Sequence, residues 1–444
     1  MTTSNPTPNP TPSPNPSSPA GEPPQPAYAA FIGIDWADQE HEVWLQPPEG
    51  ARPERLSVKQ SPAALQQWAN TLRQRFGGRP IAVALELSRG PLVYGLMSYE
   101  FLVLYPVNPK SLARYREAFR PSGAKDDRSD AELLCQFVRL HHSTLTAWKP
   151  EDAATRALAR FNEIRRDWVD QITALGLRLR ADAKAYYPLF LELFGDQLNS
   201  PMACHFLERW PTLAALQKVR EPALRRFFYA EGSRSEERIQ ERLQLIRQAQ
   251  PLTQDEGVVV PHQADALVIV ELLLVLLKQV KALEAQIDKR FAAHPDAFIF
   301  ESLPGAGAVL GPRLLAAFGT DRSRFPKPEC LQQLSGIAPI TVASGTMEVV
   351  HFRYAAPHFL HQTFWEFAKC SLPQCPWAQA VVDRLQQQGQ GFNAAVRVVA
   401  FKWMRILWRL WQNREAYVEA KYLAALERKG SPYFKTVAVQ PAGE

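Results

Sequence analysis

Four acids in the N-terminal part of the chain, Asp35, Glu86, Asp127 and Asp130, are of the type that builds a divalent-cation site. Asp35 ends the apolar run FIGID, and Glu86 lies near the end of the apolar run IAVALEL. A carboxylate at the end of a buried strand is costly unless it is solvated, paired or bound to a metal. Asp127 and Asp130 lie three residues apart in KDDRSDAELL, where a helix is expected to begin, so their side chains can share one face. Together they would make a hard, oxygen-rich site suited to Mg²⁺. Two such ions about 4 Å apart can activate a nucleophile and stabilise a leaving oxygen in phosphoryl transfer. Each acid alone has an ordinary reading. Asp35 can be a strand-end turn residue and Glu86 a surface residue; Asp127 and Asp130 can favour a helix dipole, with Ser129 and Glu132 as a capping box. The combination carries the signal.

Other candidates lie towards the C-terminus. Ser344 sits beside Gly345 in GIAPITVASGT, where a hydroxyl could be presented to a backbone phosphate, although most Ser-Gly pairs are turns. LPGAGAVLGPRLLAAFG reads as a glycine turn entering an amphipathic helix, similar to a helix-hairpin-helix whose amides can meet phosphate. Its glycines do not form a dinucleotide fingerprint. Arg384 to Arg414 holds six basic residues and no acid, with Phe401, Trp403, Trp408 and Trp411 interleaved. Arg397, Lys402, Arg405 and Arg409 are the candidate nucleic-acid contacts, since cations track phosphates and aromatics can stack on bases. The competing reading makes the tryptophans core. His358-x-x-His361, Cys370 and Cys375 are zinc-compatible types, but their spacing matches no standard finger.

The elements that must position these residues are legible in outline. AAFIGIDWA and EHEVWLQ read as neighbouring antiparallel strands, followed by a helix over 61–76, a buried strand over 81–87, a helix over 91–101 and a strand over 102–108. That succession describes an α/β domain with a mixed sheet. Residues 152–186 and 263–291 read as long helices, paired within the chain or packed against another subunit. The C-terminal part is helical and rich in tryptophan. Residues 1–27 hold ten of the 37 prolines and read as a polyproline or disordered tail. The five cysteines in 444 residues cannot make a disulfide framework, which points to a reducing compartment. The longest apolar run, 266–277, contains Glu271 and is too short to span a bilayer, and no secretory leader is expected. A net charge of +6 favours a polyanion partner only weakly.

FIGIDWADQEHEVWL, ALELSRGPL, VNPKSLARYREAFRPSGAKDDRSDAELL, and ESLPGAGAVLGPRLLAAFG followed by FPKPECLQQLSGIAPITVASG occur in an ordered set. That set resembles the DEDD transposases of the IS-one-ten and IS-eleven-eleven insertion sequences. The resemblance spans roughly residues 29–142 and 298–425. It implies a RuvC-like, RNase H-fold N-terminal domain with a metal site on Asp35, Glu86, Asp127 and Asp130; the family's Asp-x-x-Asp spacing selects Asp127 over Asp126. It also implies a C-terminal transposase domain whose serine nucleophile is Ser344. The family acts as oligomers, and closely studied members use an element-encoded bridge RNA to choose donor and target DNA. One departure is visible: the family's basic Ser-Lys-x-Gly segment is replaced by HFRYAAPHFLHQTF, with Arg353 the only Arg or Lys between Ser344 and Lys369.

The expected organisation is a proline-rich tail (1–27), a RuvC-like domain (28–148), a long-helix, coiled-coil-like region (149–297), a helical transposase domain with a helix-hairpin-helix-like element (298–428) and a short tail (429–444). The expected activity is Mg²⁺-assisted cutting and rejoining of DNA through Ser344, in the bacterial cytoplasm and at the nucleoid. A homo-oligomer (dimer or tetramer), DNA and a guide RNA are the expected partners, without a membrane. The alternatives are a RuvC-like metal-dependent nuclease that forms no covalent intermediate, and a non-enzymatic nucleic-acid-binding protein.

Overall fold

A computed structural model describes residues 28–47, 51–119, 127–345 and 347–430, with Phe119, Asp127 and Arg128 described by backbone alone. The chain divides into two compact units, Met1–Pro150 and Glu151–Glu444.

The first unit is built on a five-stranded mixed sheet, β1 (Ala30–Asp35), β2 (Glu40–Gln46), β3 (Glu54–Lys59), β4 (Ile81–Leu85) and β5 (Leu102–Pro106), in the order β3-β2-β1-β4-β5. β1, β2 and β3 form an antiparallel meander, whereas β4 and β5 lie parallel to β1. Helix α1 (Pro62–Phe76) starts on Ser61, whose hydroxyl accepts from the Ala64 N–H, and stops at Gly77 in the left-handed conformation. β4 is buried along its whole length, as its unbroken IAVAL run requires. Its larger residues Ile81, Val83 and Leu85 pack on one face with α1 and α2 (Pro91–Leu96), while Ala82 and Ala84 face the other. α3 (Pro109–Phe119) and α4 (Asp127–His141) follow β5. α4 lies on the alanine face, bringing Leu133, Leu134 and Val138 against the sheet.

Gly33 makes that approach possible. A Cβ on Gly33 would stand 2.0 Å from the Ala131 carbonyl oxygen and 2.4 Å from the Cys135 backbone nitrogen, so α4 rests backbone-to-backbone on β1. Three local expectations need correction. α2 ends at Leu96 rather than 101, because the chain turns through Tyr99 to enter β5. α4 starts at Asp127, so Ser129 lies buried in its first turn rather than capping it. β3 was absent from the sequence reading, since ERLSVK buries only Val58.

The second unit is organised around two long antiparallel helices, α5 (Ala153–Tyr186, 34 residues) and α11 (Glu256–Ala292, 37 residues). Arg165 pairs with Glu284 and Arg178 with Asp265 across them. Between them come α6 (Pro188–Phe194), α7 (Pro201–Arg209), α8 (Leu213–Gln217), α9 (Glu221–Ala230) and α10 (Glu236–Gln248), closed over the ring cluster of Phe190, Phe194, Phe206, Trp210, Phe227 and Phe228. α11 begins at Glu256, not at about 263, because Asp255 caps it and Pro261 is tolerated inside the helix. The remainder comprises α12 (Ala297–Glu301), α13 (Gly307–Phe318), α14 (Pro328–Leu334), the hairpin β6 (Ile340–Ser344) and β7 (Met347–His351), then α15 (His358–Ser371), α16 (Pro376–Gln387), α17 (Phe392–Asn413) and α18 (Glu419–Arg428). Trp377, Trp403 and Trp411 are at most 1% exposed in its core.

A polar clamp ties the start of α5 to this core. Asp296, 2% exposed, receives Arg322 at 2.6 Å and Arg414 at 3.1 Å. The Asp296 N–H donates to His294 Nδ1 at 3.1 Å, and His294 Nε2 lies 3.1 Å from the Thr155 hydroxyl, which itself donates to Asp152. This arrangement accommodates the neutral ring with its proton on Nε2. Burial, outweighing the neighbouring acids, pushes the His294 pKa below its ordinary value.

Two outcomes follow from these contacts. Gly33→Ala should cost about 3 kcal/mol in urea unfolding, because backbone atoms must move, whereas Gly78→Ala, at φ +69° with open space around it, should cost only about 1 kcal/mol. Because native His294 resists protonation, the unfolded chain takes up the extra proton. Stability should therefore fall as pH drops below about 6.5, the ordinary histidine value, and His294→Gln should flatten that decline. Urea midpoints measured between pH 7.5 and pH 5.5 check the second outcome.

Candidate active site

Asp35 is the last residue of β1 and Glu86 is the first residue beyond β4. The parallel register pairs Ile34 with Leu85, so its next step places Asp35 and Glu86 side by side at the carboxyl ends of adjacent strands. In open α/β sheets this is the edge at which ligands bind. Both residues are half-buried, and Glu86 makes no hydrogen bond or ion pair among the described residues.

Asp130 arrives with α4. It precedes Ala131, whose carbonyl touches Gly33, two residues before Asp35 on β1. Asp130 is 3% exposed, and Arg116 of α3 donates to its Oδ1 through Nε at 3.0 Å and a terminal nitrogen at 2.6 Å. Asp127 opens α4 one helical turn earlier; its side chain, like all of Asp126, lies outside the described residues. Topology thus gathers Asp35, Glu86 and Asp130 at one end of the sheet. Among the described residues, no group of three or more His, Cys, Asp or Glu side chains could hold a metal ion. The donor types nevertheless suit a hard divalent cation: Asp35 and Glu86 end adjacent strands, and Asp130 is carried on the helix that packs against β1, its carboxylate paired with Arg116. Arg116 is the site residue that the sequence reading missed. It lies 14 residues before Asp130, and no spacing rule singles it out.

Ser344 lies in the second unit, at the end of β6 opposite Met347, with Gly345 turning at φ +60°. The hairpin is exposed along nearly its whole length, and the Ser344 hydroxyl makes no hydrogen bond among the described residues.

The cations of α17 separate into two kinds. Arg405 and Arg409 are exposed. Arg397 and Lys402 are half-buried, and burial, with repulsion from Arg405, lowers the Lys402 pKa. The tryptophans are structural: Trp403 and Trp411 are buried, and Trp408 donates its indole N–H to the Phe325 carbonyl at 2.7 Å. The glycine turn before α13 is likewise occupied. Gly305, at φ +77°, donates its N–H to Gln374 at 2.8 Å, and a Cβ there would strike the Cys370 carbonyl at 2.3 Å. Cys375 is buried against Glu419 and Cys370 is exposed, so the His/Cys set gathers into no ligand cluster.

Two family models match the chain. A DEDD transposase model of the IS110 type covers residues 32–188, and the "Transposase IS116/IS110/IS902 family" model covers residues 297–383. A "Mini-circle putative transposase for IS117" from Streptomyces coelicolor is 30% identical over 412 residues, spanning 89% of this chain and 97% of the relative. The IS110 "uncharacterized 43.6 kDa protein" of the same organism is 24% identical, over 89% of this chain and 97% of its own length. The IS900 "uncharacterized 42 kDa protein" of Mycobacterium paratuberculosis is 24% identical, over 90% and 100% respectively. With its five-stranded mixed sheet and mostly helical remainder, the chain belongs to the IS110 family of insertion-sequence transposases.

Proposed function

We propose that the protein is a DNA recombinase in which Asp35, Glu86, Asp127 and Asp130 hold Mg²⁺ and Ser344 is the nucleophile. The observation that carries this reading is the topology: Asp35 and Glu86 end the adjacent parallel strands β1 and β4, and α4, which bears Asp127 and Asp130, packs on β1 at Gly33. The strand order β3-β2-β1-β4-β5, antiparallel on one side of β1 and parallel on the other, supports a RuvC-like, RNase H-fold domain. When bound, the metal supplies Lewis-acid stabilisation of charge on the phosphate oxygens. The chain's own contribution is carboxylates on β1, β4 and α4 and a hydroxyl on an accessible hairpin. Attack by Ser344 Oγ on a DNA phosphorus forms a serine–phosphate ester and releases a deoxyribose hydroxyl, which takes up the proton. Reversal at a second end rejoins DNA without ATP, because the ester conserves the phosphodiester bond.

Several further features support the wider reading. Val268, Leu272 and Val275 stand exposed on α11 at i, i+4 and i+7, and Leu177 is exposed on α5. This apolar surface supports a homo-oligomer formed through the helical middle. Arg405 and Arg409 on α17 support contacts to DNA or to an element-encoded bridge RNA. Among the described residues no helix is long and apolar enough to cross a membrane, in keeping with action on the bacterial chromosome.

Glu86→Gln and Asp127→Asn should each reduce strand breakage at least about a hundredfold while leaving the thermal unfolding profile unchanged, since each exchanges a proposed metal-ligand carboxylate for a neutral amide of the same shape. Nicking of labelled donor DNA in Mg²⁺ measures this, and undiminished breakage in both variants excludes the metal assignment. Ser344→Ala should retain DNA binding yet form no protein–DNA adduct. A denaturing gel of wild type and Ser344→Ala with nicked DNA, Mg²⁺ and cognate RNA decides the point. An adduct with the alanine variant moves the nucleophile elsewhere; cleavage by wild type without any adduct leaves a nuclease that uses water.

A further inference from the structure

We propose that Phe352, Tyr354 and Arg397, at the root of the Ser344 hairpin, form a docking platform for an unpaired nucleotide: its base stacks on Tyr354 and its phosphate is held by the Arg397 guanidinium. The inference rests on the recombinase reading and adds a strand-positioning site to it.

Phe352 directly follows β7 and is the hub of the cluster. The Arg397 guanidinium, from α17, lies 4.6 Å from its ring centroid. Tyr354 meets the same ring edge-on at 4.7 Å, and His361 of α15 does so at 5.2 Å. One ring therefore aligns a cation and a second aromatic beside the hairpin. Tyr354 is 86% exposed and its hydroxyl has no partner among the described residues, so the fold gains little from the side chain. An amphipathic ring held in place by a neighbouring ring, with its body in water, suits a base's π-face.

The charge balance points the same way. Arg397 has no carboxylate or other hydrogen-bond acceptor among the described residues, and its Nε is buried without a partner. A half-buried guanidinium left unpaired is a costly arrangement that a phosphate would relieve. His361 offers Arg397 no counter-charge, since an imidazole is neutral or cationic, and burial, together with the nearby Arg397 charge, lowers its pKa. The hairpin's one acid, Glu348, lies near the tip, next to Met347. α15 starts at His358 without a side-chain cap, leaving its first two amides open to an anion. Residues 345–368 contain Arg353 as their only Arg or Lys, and its Nε is engaged with the Ala338 carbonyl at 3.3 Å. The cation beside the hairpin is thus supplied by α17.

The test uses the full-length protein and fluorescein-labelled single-stranded DNA and RNA oligonucleotides in anisotropy titrations across a salt series. Tyr354→Ala should weaken binding on the order of tenfold, and Tyr354→Phe, which keeps the ring, by less than about twofold. Arg397→Gln should lower the slope of log K against log salt by about 0.7, the share of one phosphate on a single strand, and Arg397→Lys should restore it. Loss on the DNA probe alone assigns the platform to a DNA strand, loss on RNA alone to a guide strand, and loss on both to their shared chemistry. Wild-type affinity for both probes in Tyr354→Ala overturns the proposal, and this highly exposed position decides the matter even if an Arg397 variant fails to fold. The adduct gel on the same preparations separates the two readings. An adduct with unaltered Tyr354→Ala binding rejects the platform alone; no adduct with wild type rejects the recombinase, whatever the binding shows.

Discussion

Backbone contact between α4 and β1 at Gly33 is the constraint on which the first unit depends. A helix usually rests on a sheet through side chains, at a separation set by their size. Here the strand residue has no side chain, and the Ala131 carbonyl and the Cys135 amide approach the space that one would fill. Ala82 and Ala84 of β4 continue the same shallow floor, and the Cys135 thiol donates to the Phe31 carbonyl at 3.3 Å. Close packing then makes the position of α4 nearly a rigid function of the sheet. Asp130 is carried on that helix beside the residue that touches Gly33. The backbone position of Asp130 relative to β1 is therefore set by that contact.

In the second unit the equivalent constraint is electrostatic. Asp296 is almost wholly buried, and two guanidiniums, Arg322 and Arg414, converge on it from elements distant in sequence. Arg322 also lies 4.9 Å from the Trp411 ring centroid and donates to the Trp411 carbonyl, while the Trp411 indole donates to Gly319. Removing one member of such a network leaves a buried charge unpaired, which is why its parts hold one another in register. The hairpin bearing Ser344 projects from this core without belonging to it.

The legible part of the fold was the part written in hydrophobic periodicity. IAVAL announced a buried strand, Ser61-Pro62 announced a helix start, and the glycine-poor stretch over 152–186 announced α5. β3 escaped because its pairing depends on β2 rather than on its own composition. The early start of α11 escaped because Pro261 looks like a breaker, yet the helix runs through it from its Asp255 cap. At the candidate site, acid type and strand-end position were visible in sequence. The Arg116 ion pair was not, since it joins two helices across a loop. The tryptophans of α17 show the same limit: a cationic, aromatic helix reads identically whether its rings face bases or the core, and the packing of α13, α15 and α16 decided for Trp403 and Trp411.

The isolated hairpin has a consequence for handling and for life in the cell. In a two-stranded sheet both strands are edges, so outward-facing amides and carbonyls lack ladder partners. Val342, Met347, Val349 and Val350 are also open to solvent. Such a ribbon has little stability of its own and is a template for pairing with other extended chains. Keeping a hydroxyl reachable on its tip therefore trades colloidal safety for access. At high protein concentration this bare ribbon gives copies of the chain a route to self-association through β6 and β7, in competition with remaining dispersed.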